Sequence, residues 1–216
     1  MNYKLAIFDF DGTLANTFPF FLESFNILAE KYKFKKVDQS EIEALRGEGA
    51  RTIIKHVGLP MWKVPFVGAH FKKLMAASIH RIQPFDGVDD MLRALHQHGI
   101  KLSFATSNSH ENVVRILGAE SASLFKHSAF NTSMFGKRSA LRRVLRDNHV
   151  AFSEAIYIGD ELRDLEAAHA GRIAFGAVAW GYTKLDALAR HRPAVIFHTM
   201  ADIKKILVGG ALNTVQ

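Results

Sequence analysis

Leu5-Ala6-Ile7-Phe8-Asp9-Phe10-Asp11-Gly12-Thr13 is an apolar run that stops abruptly at two acids and a glycine. The run predicts a β-strand. Residues two apart in a strand project to one side, so the carboxylates of Asp9 and Asp11 are expected to point together while Phe10 packs the other way. Two like charges at that spacing repel and call for a divalent cation, a shared proton or both. The same letters also make an ordinary turn after a strand.

Three further stretches bear on that choice. Lys101-Leu102-Ser103-Phe104-Ala105-Thr106-Ser107-Asn108-Ser109 is another apolar strand broken by hydroxyl and amide residues. Helical spacing resumes at Val113, Val114, Ile116 and Leu117, which makes Asn108 or Ser109 the N-cap. The hydroxyl of Thr106 with helix-start N–H groups behind it would seat phosphate oxygens, although capping alone accounts for the pattern. In Ala155-Ile156-Tyr157-Ile158-Gly159-Asp160-Glu161-Leu162-Arg163-Asp164 a strand again ends at an acid. Asp164 lies one helical turn beyond Asp160, on the same face. Acids also suit a helix start, but three within five residues, added to Asp9 and Asp11, favour a metal site. Phe135-Gly136-Lys137 opens an amphipathic stretch. A lysine at a helix start runs against the macrodipole and is either drawn toward buried carboxylates or simply solvated.

Strands near 4–10, 101–106, 155–159 and 173–179 alternate with helical patterns at 87–98, 109–118, 138–148 and 162–170, with short strands possible near 128–131 and 194–197. This alternation predicts an α/β protein with a doubly wound, Rossmann-like parallel sheet that binds ligands at the carboxyl ends of its strands. Residues 16–82 break it. They read as helices at 20–33, 40–45, 50–57 and 64–79, a small all-helical domain inserted after the first strand. The expected division is 1–15 and 83–216 for the core and 16–82 for the insertion, with hinges at Asn16-Thr17 and Gln83-Pro84. The turn Arg46-Gly47-Glu48-Gly49 reads either as a substrate-facing loop, in which Arg46 meets an anion, or as a plain helix–helix turn.

With 216 residues, 48% of them hydrophobic, the chain has ample material for a core and a second small domain. It has no membrane-length apolar run and no signal-peptide pattern, and the absence of cysteine excludes disulfide and thiolate chemistry. Cytoplasmic residence is expected. The net charge of +7 raises a nucleic-acid reading. However, Lys31, Lys33, Lys35 and Lys36, and Arg138, Arg142 and Arg146, are more simply solvated faces, and no recognition motif accompanies them. Their charge would attract anionic substrates. The eleven histidines form no metal cluster, and His96 and His98 read as residues closing a helix.

FDFDGTLANT at 8–17, FATSN at 104–108, Lys137 and YIGDELRDLEAAHAG at 157–171 resemble the four motifs of the haloacid dehalogenase superfamily. The likeness is closest to phosphoglycolate-phosphatase-like members with a helical C1-type cap, and it continues through Ala177-Val178-Ala179-Trp180-Gly181-Tyr182. One departure is Lys137-Arg138-Ser139-Ala140, where relatives usually carry Lys-Pro-x-Pro. The resemblance implies a magnesium-dependent phosphatase acting on a small phosphorylated metabolite, phosphoglycolate-like or a sugar phosphate, as a monomer or weak homodimer. Asp9 would be the nucleophile, forming an aspartyl-phosphate, and Asp11 the acid and base, its main-chain carbonyl touching the metal. Asp160 would ligate Mg²⁺ directly, while Asp164 and Glu161 would act through water or hold Lys137. Thr106 and Lys137 would cradle the phosphate, with Gly12 admitting backbone N–H groups and Ser107 and Asn108 lining the seat. Oxygen-only ligation suits magnesium better than zinc. A phosphomutase would share all four motifs. A haloacid dehalogenase would need neither metal nor a second acid, so Asp11 argues against it. A phospho-acceptor receiver fits the 16–82 insertion poorly.

Overall fold

The computed structural model describes residues 3–133 and 136–209, so Phe135 lies outside the described residues. The chain begins with β1 (Leu5–Phe8), α1 (Phe18–Tyr32), α2 (Gln39–Leu45), α3 (Ala50–His56) and α4 (Val64–Ala77). There follow α5 (Val88–Gln97), β2 (Lys101–Phe104), α6 (His110–Leu117), α7 (Ala119–Ser123) and α8 (Lys137–Asn148). The last third holds β3 (Ala155–Gly159), α9 (Leu162–Gly171), β4 (Ala174–Val178), α10 (Leu185–Arg190), β5 (Val195–Phe197) and α11 (Met200–Gly209).

The five strands are parallel in the order β2-β1-β3-β4-β5. Because β1 is central and covered on both faces, its side chains read as an unbroken apolar run. Ala6 and Phe8 pack with Leu102, Phe104, Ile156 and Ile158 under α5, α6 and α11. Leu5 and Ile7 pack on the opposite face with Tyr157 and Phe175 under α8 and α9. The doubly wound parallel sheet expected from the sequence is therefore present. The stretch 128–131 is not a strand. It runs beside the end of β2 through a single bridge at Ala129, and Ala129 N–H donates to Phe104 O at 2.8 Å. Asn131, at φ 53°, then turns the chain away from the sheet.

Helices α1–α4 lie outside the sheet. The segments leading into and out of them run antiparallel: Ala15 bridges Pro84, and Asn16 N–H donates to Gln83 O at 2.9 Å. Phe18 and Phe21 of α1 pack on the Tyr182 ring with centroids 5.0 and 5.3 Å away. Among the described residues no helix is long and apolar enough to cross a membrane. Arg138, Arg142 and Arg146 are exposed on α8, as a solvated face requires.

Candidate active site

The carboxyl ends of β1, β2 and β3 bring Asp9, Thr106 and Asp160 to one edge of the sheet, beside the position where the strand order reverses. Asp9, 1% exposed, follows β1 directly, and its N–H still pairs with Ile158 O at 2.9 Å. Its Oδ2 accepts a hydrogen bond from Lys137 Nζ at 2.7 Å. Its Oδ1 is buried and has no partner among the described residues.

Lys137, at the first turn of α8, is 2% exposed and bonds both Asp9 and Asp164. Of the two readings its sequence position allowed, the structure selects the lysine drawn toward buried carboxylates. Burial works against its charge, but Asp164 and Asp9 more than offset this and raise its pKa above the ordinary lysine value. The missing prolines after Lys137 leave this seat intact, because α8 begins at the lysine itself.

Asp160 is held from two sides. Its Oδ1 accepts from Thr13 Oγ1 at 2.7 Å, and its Oδ2 from the Tyr182 backbone N–H at 2.8 Å. Two glycines make room for it. A Cβ on Gly12 would fall 2.3 Å from Asp160 Oδ2, and one on Gly181 would fall 2.0 Å from Asp160 Cβ. Gly12 also sits at φ +76°, a conformation that side chains disfavour. Gly12's own N–H donates to Ala15 O at 2.9 Å, within the turn that follows the strand. The glycine is needed for the turn and for the approach of Asp160.

Asp164, in the first turn of α9, accepts from Lys137, from the Tyr157 hydroxyl at 3.1 Å and from Glu161 N–H at 3.2 Å. Glu161 pairs with Arg163 at the rim. Burial keeps the Tyr157 phenol well above its usual pKa, so it remains a neutral donor.

Oxygens of Asp9, Asp160 and Asp164 lie within 4.8 Å of one another. Burial first, then neighbouring carboxylates, push Asp160 well above the ordinary carboxylate range. Burial raises Asp164 to about 6 even though Lys137 pulls the other way. Three buried acids share one bonded lysine, so the cluster is short of positive charge. That deficit, the unpartnered Oδ1 of Asp9 and the all-oxygen donor set together fit a hard divalent cation.

The Asp11 carboxylate stands apart from these three. It remains partly accessible and accepts from Asn108 Nδ2 at 3.0 and 3.2 Å. Burial and the nearby Asp9 raise it to about 7, against the lowering effects of the Asn108 bond and Lys137. Thr106 is fully buried and its Oγ1 accepts from Asn108 N–H at 3.1 Å, while Ser107 is partly buried on the same loop. Of the two candidates for the cap of α6, Ser109 serves, accepting from Asn112 N–H at 3.2 Å.

Two expected ligands have other partners. Asn108 was expected to line the phosphate seat, but its amide is committed to Asp11, Asn112 and Ser109. Arg46 reads from the sequence either as meeting an anion or as part of a plain helix–helix turn. Its Nε donates to Tyr182 O at 2.9 Å, one terminal nitrogen to Gly181 O at 3.0 Å, and the other to Glu43 at 3.0 Å. The guanidinium also lies 4.8 Å from the Phe18 ring centroid. In this arrangement Arg46 clasps the α2–α3 turn to the 181–182 turn.

Thr13, Tyr157, Asn112 and Tyr182 contribute contacts that the sequence motifs did not single out. Thr13 carried the one available signal, a hydroxyl directly after the Asp-x-Asp-Gly turn. The other three are brought in by the fold.

The sheet thus carries paired acids, a hydroxyl, a buried lysine and a further acid pair at its carboxyl edge, in the order in which the four sequence motifs run along the chain. A model of the haloacid dehalogenase-like hydrolases matches residues 6–178, and the chain belongs to that family. Phosphoglycolate phosphatase of Synechococcus elongatus is 29% identical over 201 residues, covering 93% of this chain and 95% of that protein. The phosphoglycolate phosphatase of Mesorhizobium japonicum is 26% identical over 215 residues, 92% of each chain. A proposed phosphoglycolate phosphatase from Lactobacillus plantarum, known from a crystal structure, superposes with a TM-score of 0.81 at 21% identity, covering 95% of this chain and all of its own. That last likeness concerns the fold.

Proposed function

We propose that this hydrolase is a magnesium-dependent phosphatase that cleaves a small phosphate monoester, of the phosphoglycolate or sugar-phosphate kind, through an aspartyl-phosphate on Asp9. The observation that carries this reading is the state of Asp9: one oxygen is held at 2.7 Å by Lys137, the other is buried without a partner, and the residue clusters with Asp160 and Asp164. A carboxylate fixed at one oxygen keeps its orientation for in-line attack.

Asp9, Asp160 and Asp164, with the Asp11 carbonyl, would hold the ion. Mg²⁺ bound there supplies the positive charge that offsets repulsion between the carboxylate and an anionic phosphoryl group. Asp9 attacks phosphorus, and the ester oxygen leaves with a proton from Asp11. Asp11 then takes a proton from water, whose oxygen attacks the same phosphorus and releases inorganic phosphate and the free Asp9 carboxylate. A carboxyl group raised to about 7 suits both halves of that exchange. Thr106 and Lys137 bracket the transferring group, with Ser107 beside them, and the lysine charge offsets the negative charge that grows during transfer.

Helices α1–α4 serve as the cap, hinged where 14–16 and 83–85 run side by side, and exclude water from the acids when closed. The substrate class is supported by the names of the relatives. The partner is a small phosphorylated metabolite, and the working unit is a monomer or weak homodimer.

The test is phosphate release from a panel of monoesters with Mg²⁺, together with mass-spectrometric detection of an 80-Da adduct on Asp9 after rapid quenching. Turnover without an adduct on Asp9, or undiminished activity of Asp9→Asn, overturns the covalent route.

A further inference from the structure

Asn108 lies at the centre of a buried amide chain whose direction is fixed by chemistry. Its Oδ1 is 2.8 Å from the backbone N–H of Ser109 and 3.1 Å from Asn112 Nδ2. A backbone N–H can only donate, so the Asn108 atom facing it must be the oxygen. The amide NH₂ group is thereby turned toward Asp11, where it reaches both carboxylate oxygens at 3.0 and 3.2 Å. Its remaining neighbour is the sulfur of Met75 in α4, at 3.2 Å.

Asn112 has no other side-chain bond in the described structure that would account for a polar residue 3% exposed in the first turn of α6. A buried amide left unpaired there would be destabilising. Hydrophobic side chains line the same helix at Val113, Ile116 and Leu117. An asparagine at this position is therefore explained by what it holds.

We propose that Asn112 and Asn108 form a positioning relay for Asp11: Asn112 fixes the Asn108 amide, and Asn108 sets the orientation of the Asp11 carboxyl toward the leaving oxygen. This deepens the phosphatase reading and rests on Asp11 as the proton donor. Neither asparagine is assigned contact with substrate. In the transfer to Asp9 a misdirected acid matters only when the leaving oxygen needs a proton. An alkoxide requires one, whereas 4-nitrophenolate delocalises its charge and departs without it. Hydrolysis of the aspartyl-phosphate is common to every ester, so kcat/KM, which reports the transfer alone, is the quantity to read.

The test compares an alkyl phosphate (phosphoglycolate or glycerol 3-phosphate, whichever the wild type turns over faster) with 4-nitrophenyl phosphate. Asn112→Leu and Asn108→Leu are the variants. Asn112→Asp keeps the volume, removes the donor, and is read in the same way if the leucine variant does not fold. The relay requires kcat/KM for the alkyl ester to fall at least about tenfold more than kcat/KM for the aryl ester, within the range that proton transfer contributes. Equal losses of kcat/KM on both esters, or no loss on either, overturn it. Asp11→Asn separates this failure from a failure of the underlying reading. If that variant discriminates between the esters and the asparagine variants do not, only the relay is wrong. If Asp11→Asn lowers kcat/KM of both equally, Asp11 is not the proton donor.

Discussion

Replacing Lys137 by methionine keeps most of the length of the side chain but removes its charge from between Asp9 and Asp164. Taking away one member of a buried ion pair costs about 3–5 kcal/mol when the stranded partner must stay charged. Here the stranded acid can escape by taking a proton, so the cost depends on pH. In the native protein Asp164 has a folded pKa of about 6, above that of an unfolded carboxyl, so its contribution to stability already falls as pH rises toward 6 and is constant above it. Without the lysine, whose charge lowers that pKa, Asp164 stays protonated to higher pH and the fall continues. The deficit relative to wild type should therefore grow by about 1.4 kcal/mol per pH unit above 6, or roughly 2–3 kcal/mol between pH 5.5 and pH 8. Urea unfolding in chelator at the two pH values measures it. The same variant should lose kcat by roughly 10²-fold or more, and Lys137→Arg should not restore it, because a planar fork cannot replace a compact ammonium between two fixed carboxylates. A deficit that is equal at both pH values, or that shrinks at pH 8, would refute the charge accounting. Near-normal kinetics would remove Lys137 from the mechanism.

Asp9→Asn should abolish phosphate release while leaving the circular dichroism spectrum unchanged, since the shape is conserved and only the nucleophile and a charge are lost. EDTA should abolish activity and Mg²⁺ restore it, whereas Ca²⁺, with its looser coordination shell, should inhibit, as read from phosphate release in metal titrations. Asp160→Asn should weaken Mg²⁺ binding by calorimetry more than it alters the melting temperature of the metal-free protein. Gly12→Ala should destabilise by about 1–3 kcal/mol from its left-handed backbone alone and should also displace Asp160, which a combined melting and Mg²⁺-affinity measurement would detect.

The strands and helices that position the site were legible because each carries its own pattern. β1 and β3 are apolar runs ended by acids, and α6 and α8 show helical spacing from a recognisable start. Helices α7, α10 and α11 went unread, the first two being five and six residues long. The 128–131 stretch has strand-like neighbours but leaves the sheet at Asn131, a turn set by one backbone angle. At the site, Asp9, Asp11, Asp160 and Lys137 were found because charge at a strand or helix end is conspicuous. The settings around them were not, because they join residues far apart in the chain: Asn108 to Asp11, Thr13 to Asp160, Tyr182 to Asp160, and Arg46 to the 181–182 turn. Sequence marks which groups can bond; only the folded path decides that Asn108 meets a carboxylate and Arg46 a pair of carbonyls.

The bonds of Arg46 and Asp160 meet on one peptide unit. Gly181 C=O accepts from Arg46 and Tyr182 N–H donates to Asp160, so a single planar amide is held at both ends by groups from opposite parts of the chain. A cation at the oxygen polarises that amide and strengthens its N–H as a donor. The helical segment and the acid site are thus not interchangeable modules. Transplanting a relative's helices onto this sheet without an arginine in the 46 position would weaken the grip on Asp160 from a distance, and a chimaera would have to carry the arginine and its receiving turn as one inherited unit.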